Sequence, residues 1–310
     1  MASHAKAPPI IDFAPKNPNR LGYEGFRSQK FEGSSGDFKE GLFIGRVLPE
    51  DHRYIQEKRL QCGHNVYPDG VRDAALFKNV VTRYHEALSS VAQDILKVIA
   101  QTLHLDQGWF ASFCEEPAAV LRLLHYPPQA PDADENERGI GAHTDFGGIT
   151  ILLQDDVGGL QVYDEPTSTW IDVKPTPGAL VVNLGDLMAR WTNDVYVSNV
   201  HRVINKTGQE RYSIPFFFTG NLDLVVECIP RCRHPTEGAK YPPIKVEDWI
   251  VSCQKHTFGA KSVQGLSSIA ASKDLKEVSS DGAARGIERL FAARPVNETV
   301  EPSMENVAKA

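Results

Sequence analysis

From residue 120 to 229 the chain alternates short apolar runs with breaks at glycine, proline and aspartate. Eight runs stand out: 120–126 (VLRLLHY), 148–153 (GITILL), 159–163 (GLQVY), 170–173 (WIDV), 179–184 (ALVVNL), 198–204 (SNVHRVI), 211–218 (RYSIPFFF) and 223–228 (DLVVEC). Each has the length and the β-branched or aromatic content of a strand. Turn sequences separate them, most clearly at Asp155–Gly159 and Pro175–Gly178. Eight short strands in succession predict a mainly β fold, a jelly roll or barrel, with a site held in its mouth. Side chains alternate across a strand, so parity sorts them. If His201 faces inward, so do Asn199 and Val203. Arg211 then brings Ser213, Pro215 and Phe217, and Arg122 shares a face with Leu124 and Tyr126.

A different period precedes the strands. Phe77, Val81, Tyr84, Leu88, Val91, Ile95, Val98 and Thr102 recur at alternating steps of four and three. This predicts one helix over 74–105 whose stripe packs on the outside of the β domain. Residues 14–73 are rich in Gly, Pro, Asp and charge with little periodicity, and 1–73 reads as a shortened, irregular N-terminal region. The β core is expected over 106–258. A C-terminal extension, 259–310, is rich in Ser, Ala, Lys and Glu. It suggests a short helix near 283–293 and disorder elsewhere. The acidic run Pro131–Arg138 reads as a solvated loop, with a lid over the site as the alternative.

Composition narrows the classes. Of 310 residues 41 % are apolar, enough for a sizeable core, and the net charge of −7 argues against nucleic acid and anionic membrane as partners. No apolar run reaches the roughly 20 residues a membrane helix needs. Residues 1–9 lack the apolar core of a signal peptide. The five cysteines are odd in number and irregularly spaced. Cys228 and Cys232 form at most half of a zinc site, so free thiols in a reducing, cytoplasmic setting are expected. Nothing in the sequence fixes an oligomeric state.

The candidate chemistry lies among the predicted strands. His143 and Asp145 are an i, i+2 pair and would reach one metal from one strand face. His201 follows after 55 intervening residues, a distance suited to strands that run out and return. Two imidazoles and one carboxylate are the ligand set of a mononuclear non-haem Fe(II) site, which leaves the opposite face of the metal open. Arg211 and Ser213 form a second i, i+2 pair, offering a planar guanidinium fork and a hydroxyl to a carboxylate.

The runs LRLLHYP, GAHTDFGGITILLQDDVGGLQV, VVNLGDLMARWTNDVYVSNVHRV and RYSIPFFF resemble the Fe(II)/2-oxoglutarate-dependent dioxygenases of the isopenicillin N synthase-like branch. The resemblance covers roughly 18–255 and implies a distorted double-stranded β-helix with packing helices. It implies His143, Asp145 and His201 as iron ligands, with Arg211, Ser213 and Tyr126 binding 2-oxoglutarate. Asp186 is implied to order strand ends beside the site. Within the branch the chain is most similar to fungal thymine-hydroxylase-like proteins, and fungal secondary-metabolite oxygenases share the same core. That comparison places Arg122 and Phe217 against a small-molecule substrate. The implied reaction uses Fe(II), 2-oxoglutarate and O2, with ascorbate supportive, to hydroxylate, desaturate or cyclise. Two alternatives stay open: a member oxidising its substrate without 2-oxoglutarate, and a non-catalytic remnant that binds only. The second arises because PIIDF at 9–13 is followed almost at once by NRLGYEGF at 19–26. In this branch a block of helix and strand usually separates the two.

Overall fold

The structure is a computed structural model that describes residues 21–29, 36–68, 70–130 and 139–257. Two antiparallel sheets carry the fold. The larger has six strands, in the spatial order β1 (Gly22–Glu24), β2 (Glu40–Gly45), β3 (Ala118–Tyr126), β10 (Arg211–Gly220), β5 (Ile149–Gln154), β8 (Val181–Leu184). The smaller has four, in the order β4 (Ile140–His143), β9 (His201–Val203), β6 (Leu160–Asp164), β7 (Thr169–Asp172). Strands β3 to β10 make up the jelly roll, as the apolar runs predict. One of the eight expected strands is corrected: β4 takes the place of the run at 223–228. Within that run only β11 (Val225–Val226) is a strand, and it pairs with β12 (Ile244–Lys245) in a separate ribbon.

Alternation along β10 shows how the layers form. Phe216 and Phe218 turn to one side and join Leu121, Ile149 and Ile151 in the main core. That core is completed by Leu88, Ala92, Leu96 and Ile99 of α2 (Ala74–Thr102) and by Trp249 and Ile250 of α5 (Val246–Thr257). On the other face Leu124 and Tyr126 of β3 meet Ile140, Leu160 and Val203 of the small sheet. The large sheet therefore lies between helices and small sheet, and the space between the two sheets is lined from the large one by Tyr126 and Arg211 and from the small one by His143 and His201.

Asp73 caps α2, its carboxylate accepting from the Leu76 N–H at 2.9 Å. The helix begins with the expected segment and ends three residues short of it, and its buried face differs from the expected stripe. Val81, His85, Leu88, Ala92, Leu96 and Ile99 are buried, whereas Val91 and Val98 are 39 % and 56 % exposed. A strict four-three alternation has a period of 3.5, and an α-helix of 3.6 residues per turn drifts off it by about 20° per heptad. His85 completes the buried face by pairing Nε2 with the Ala119 carbonyl at 3.1 Å.

The segment expected to be irregular supplies β1 and β2. These extend the large sheet, and Phe43 of β2 sits opposite Arg122 of β3. Residues 1–20, the acidic run 131–138 and the extension 259–310 lie outside the described residues.

Candidate active site

The metal-ligand candidates converge. Strand β4 ends at His143, which lies directly opposite His201 of β9, with ring centroids 4.3 Å apart. Both imidazole Nε2 atoms stand 3.8 Å from Oδ1 of Asp145. One ligand atom from each of the three residues lies within 4.8 Å of the others, the arrangement a single cation would bridge. The Nδ1 atom of each histidine donates to a carbonyl, Gly141 at 2.8 Å for His143 and Asn199 at 3.1 Å for His201. A carbonyl only accepts, so both Nε2 lone pairs are left for a metal.

Asp145 corrects the strand-parity reading. It lies beyond the end of β4, in the segment leading to β5, so strand alternation does not place it. Two other contacts do. The Asp186 N–H donates to the Asp145 carbonyl at 2.7 Å, and Asn183 Nδ2 donates to Asp145 Oδ2 at 2.7 Å. Thr150, the cross-strand neighbour of Asn183, donates to the same carboxylate. A Cβ on Gly185 would come within 2.3 Å of the Gly147 carbonyl oxygen and 2.8 Å of that of Asp145, so only glycine lets this turn seat the loop.

The electrostatics favour a cation. Burial alone would raise the Asp145 carboxyl, but His201, His143 and the bonds from Asn183 and Thr150 outweigh it and hold it below the usual range. Burial and the neighbouring His201 push His143 down, so its imidazole stays neutral. One carboxylate and two imidazoles suit a divalent first-row metal with open coordination positions.

A second feature is an anion pocket. Arg211 is fully buried. Its Nε donates to the Gly158 carbonyl at 2.6 Å and its Nη2 to Gln154 Oε1 at 3.2 Å, while its Nη1 is buried with no partner. The guanidinium lies 4.7 Å over the ring of Tyr126, its cross-strand partner. No carboxylate of the described residues pairs with this cation. A buried charge with an unused donor calls for an anion. Ser213, also buried, shares its face of β10. The far carboxylate of a dicarboxylic keto acid has the chemistry this donor set lacks.

The two substrate candidates are placed differently from each other. Phe217 faces inward and is half-buried, whereas Phe216 and Phe218 are fully buried in the main core. Arg122 is held in a buried ion pair, Nη2 donating to Glu24 at 2.7 Å and to Gln29 at 3.2 Å. Its guanidinium stacks 4.2 Å over Phe43 and stands 6.0 Å from the Phe217 ring. Sequence reasoning missed Asn183, although it is the one polar residue in the apolar run ALVVNL and its parity points to it. It also missed Glu24, Gln29, Asp37 and Lys39, which carry no periodic signal. No disulfide links the five cysteines, and the triad is the one metal-ligand cluster among the described residues. No helix of the described residues is long and apolar enough to cross a membrane.

Residues 117–220 match the family model described as the 2OG-Fe(II) oxygenase superfamily, a span that contains every site residue above except Glu24, Gln29, Asp37, Lys39 and Phe43. The chain is 52 % identical over 248 residues to the 2-oxoglutarate-Fe(II) type oxidoreductase hxnY of Emericella nidulans, covering 79 % of this chain and 71 % of that one. The chain belongs to the 2OG-Fe(II) oxygenase superfamily. It is an Fe(II)- and 2-oxoglutarate-dependent dioxygenase. A second 2-oxoglutarate-Fe(II) type oxidoreductase, from Aspergillus fumigatus, is 48 % identical, with 80 % and 73 % of the two chains covered. Among solved structures, a full-length Neurospora crassa protein in complex with alpha-KG and thymine superposes with a TM-score of 0.69 at 30 % identity, covering 79 % of this oxygenase and 77 % of that chain.

Proposed function

We propose that His143, Asp145 and His201 bind the Fe(II) and that Arg211, Ser213 and Tyr126 bind the far carboxylate of 2-oxoglutarate. The observation that carries this reading is the unused, buried Nη1 of Arg211. Tyr126, stacked under that guanidinium, belongs to the same apolar cluster as Ile140 and Val203, from the strands that carry His143 and His201. The anion pocket and the triad thus share one inner space. When bound, Fe(II) with 2-oxoglutarate activates O2 and couples oxidative decarboxylation to C–H oxidation.

The chain's own residues bind, orient and dry the site. His143, Asp145 and His201 would hold the Fe(II), which would supply open coordination positions for the keto acid and O2. Arg211 fixes the length and direction of the keto acid with a planar fork, and Ser213 adds a hydroxyl donor. Tyr126, Leu124, Leu160 and Val203 wall the space with apolar surface, which strengthens those polar contacts.

The substrate in this reading is a small organic molecule resting against Phe217, with the Arg122–Glu24 pair beside it. A thymine-like planar base is one candidate, given the thymine bound by the Neurospora crassa protein. Ascorbate supports turnover by keeping the iron reduced. A cytoplasmic setting is consistent with five unbridged cysteines.

The test is release of labelled CO2 from 1-labelled 2-oxoglutarate, with Fe(II) and ascorbate, across a panel of small substrates. Succinate should form in equal amount, and Arg211→Met should abolish both at moderate 2-oxoglutarate. Substrate oxidation that needs no 2-oxoglutarate, or that survives loss of Arg211 unchanged, would overturn the assignment.

A further inference from the structure

A buried polar chain runs from the N-terminal segment to the iron-ligand strand, and neither the triad nor the anion pocket accounts for it. Asp37 and Lys39 are 1 % and 3 % exposed. Lys39 Nζ donates to Asp37 Oδ2 at 2.5 Å and to Gln29 Oε1 at 2.6 Å. Asp37 Oδ1 accepts from the Gly141 N–H at 3.0 Å, and the Gly141 carbonyl accepts from His143 Nδ1 at 2.8 Å.

Gly141 needs such a partner. Strands β4 and β9 pair at Ile140↔Val203 and at His143↔His201, with a register shift between them. The shift takes Gly141 out of the ladder, and a buried N–H without a ladder partner must be satisfied elsewhere. Asp37 is itself fixed, since Arg27 N–H donates to its carbonyl at 2.9 Å and its own N–H donates to the Gln29 carbonyl at 3.0 Å. A peptide unit gripped on its N–H side by a carboxylate is a stiff seat for the imidazole bonded to its neighbouring carbonyl.

We propose that Asp37 is a positioning residue for His143, acting through the Gly141 backbone, and that Lys39 is the buried counter-charge that keeps Asp37 in place. The inference rests on the reading of His143 as an iron ligand. It gives the segment before β2 a function that the sequence pattern does not suggest: holding the metal site from outside the jelly roll.

The experiment compares Fe(II) affinity by anaerobic titration in four variants, with the melting temperature of the metal-free protein as a fold control. Lys39→Met leaves the Asp37 carboxylate buried without its counter-charge and should weaken Fe(II) binding by more than about threefold, whereas parent-like affinity would overturn the role of Lys39. The D37N/K39M protein buries no charge at these two positions and keeps an acceptor oxygen, so it should stay within about threefold of the parent. Removing the acceptor in D37A/K39M should weaken binding by about 10- to 100-fold, the usual effect of losing a group that orients a ligand. If D37A/K39M does not fold, D37S/K39M, whose side chain is too short to reach Gly141, replaces it with the same expectation. The fourth, His143→Ala, tests the underlying reading. Affinity in D37A/K39M equal to that in D37N/K39M would overturn the role of Asp37. Parent-like affinity in His143→Ala would instead overturn the ligand assignment.

Discussion

His143 and His201 are direct cross-strand partners, and both present Nε2 at 3.8 Å to the same oxygen of Asp145. A pair of neighbouring strands therefore sets two of the three proposed ligands, and the third depends on side-chain contacts from elsewhere. Asn183 makes one of these, at 2.7 Å. Asn183→Ala is expected to lower Fe(II) affinity by about tenfold. Anaerobic Fe(II) titration measures this, and 2-oxoglutarate affinity at saturating Fe(II) should move by less than about twofold.

Arg211→Lys separates charge from geometry. A lysine keeps the positive charge but loses the fork and the stacking on Tyr126. Losing one charge-assisted hydrogen bond costs about 1.5–3 kcal/mol, so 2-oxoglutarate affinity should fall by about 10- to 100-fold. Isothermal titration under anaerobic conditions reads this directly, with Fe(II) affinity expected to stay within about twofold.

Gly185→Ala acts on the carboxylate loop without changing any ligand. The added methyl group would overlap the Gly147 and Asp145 carbonyl oxygens, so the loop must move by several tenths of an ångström. The expected outcome is weaker Fe(II) binding, by at least about tenfold, in a protein that still folds. Titration together with circular dichroism checks both halves.

Adjacent phenylalanines on β10 should separate stability from recognition. Phe216→Ala empties part of the main core and is expected to cost about 3–5 kcal/mol, measured by denaturant unfolding. Phe217 faces the inner space and is half-buried. Its replacement by alanine should cost less stability and should raise the substrate KM, with the KM for 2-oxoglutarate unchanged.

Asp223 links pH to stability. Hydrogen bonds from Lys245 and Arg59 hold its carboxyl well below the usual range. A depressed folded-state pKa stabilises the protein above the unfolded-state value of about 3.9, and that stability is lost as pH falls below it. Arg59 also binds Glu247 of α5, at 2.6 Å, and Arg53 of α1 (Arg53–Gln56) binds Asp223 at 2.8 Å, so the network ties the N-terminal segment to the core. Asp223→Asn is expected to lower stability at pH 7 by about 1 kcal/mol, to flatten the acid loss below about pH 4, and to show less of its effect in high salt. Thermal melts at about pH 3.5 and pH 7, with and without roughly 0.5 M salt, measure all three.

The jelly roll is legible in the sequence because its strands carry strong alternation and sharp turns. Parity along RYSIPFFF separates Arg211, Ser213 and Phe217 from the core-facing Phe216 and Phe218, as the structure has them. Parity does not apply to Asp145, because a residue past the strand end is placed by its hydrogen-bond partners. Strand β4 escapes the pattern because its four residues, following an acidic stretch of sequence, give too short a run. The face of α2 is misread late in the helix, where a 3.5-residue period drifts from the true 3.6. The polar chain from Lys39 to His143 leaves no trace in the pattern, since buried hydrogen bonds between distant segments have no period along a sequence.

On the proposed reading one inner space binds Fe(II) and 2-oxoglutarate together, through His143, Asp145, His201 and Arg211. The direct measurement is anaerobic addition of 2-oxoglutarate to the Fe(II)-loaded protein, followed by visible absorption. A weak charge-transfer band should appear and saturate at one equivalent, be lost in His201→Ala, and need far more 2-oxoglutarate in Arg211→Lys. A protein that binds Fe(II) but gives no band, or a band indifferent to both substitutions, would contradict the account.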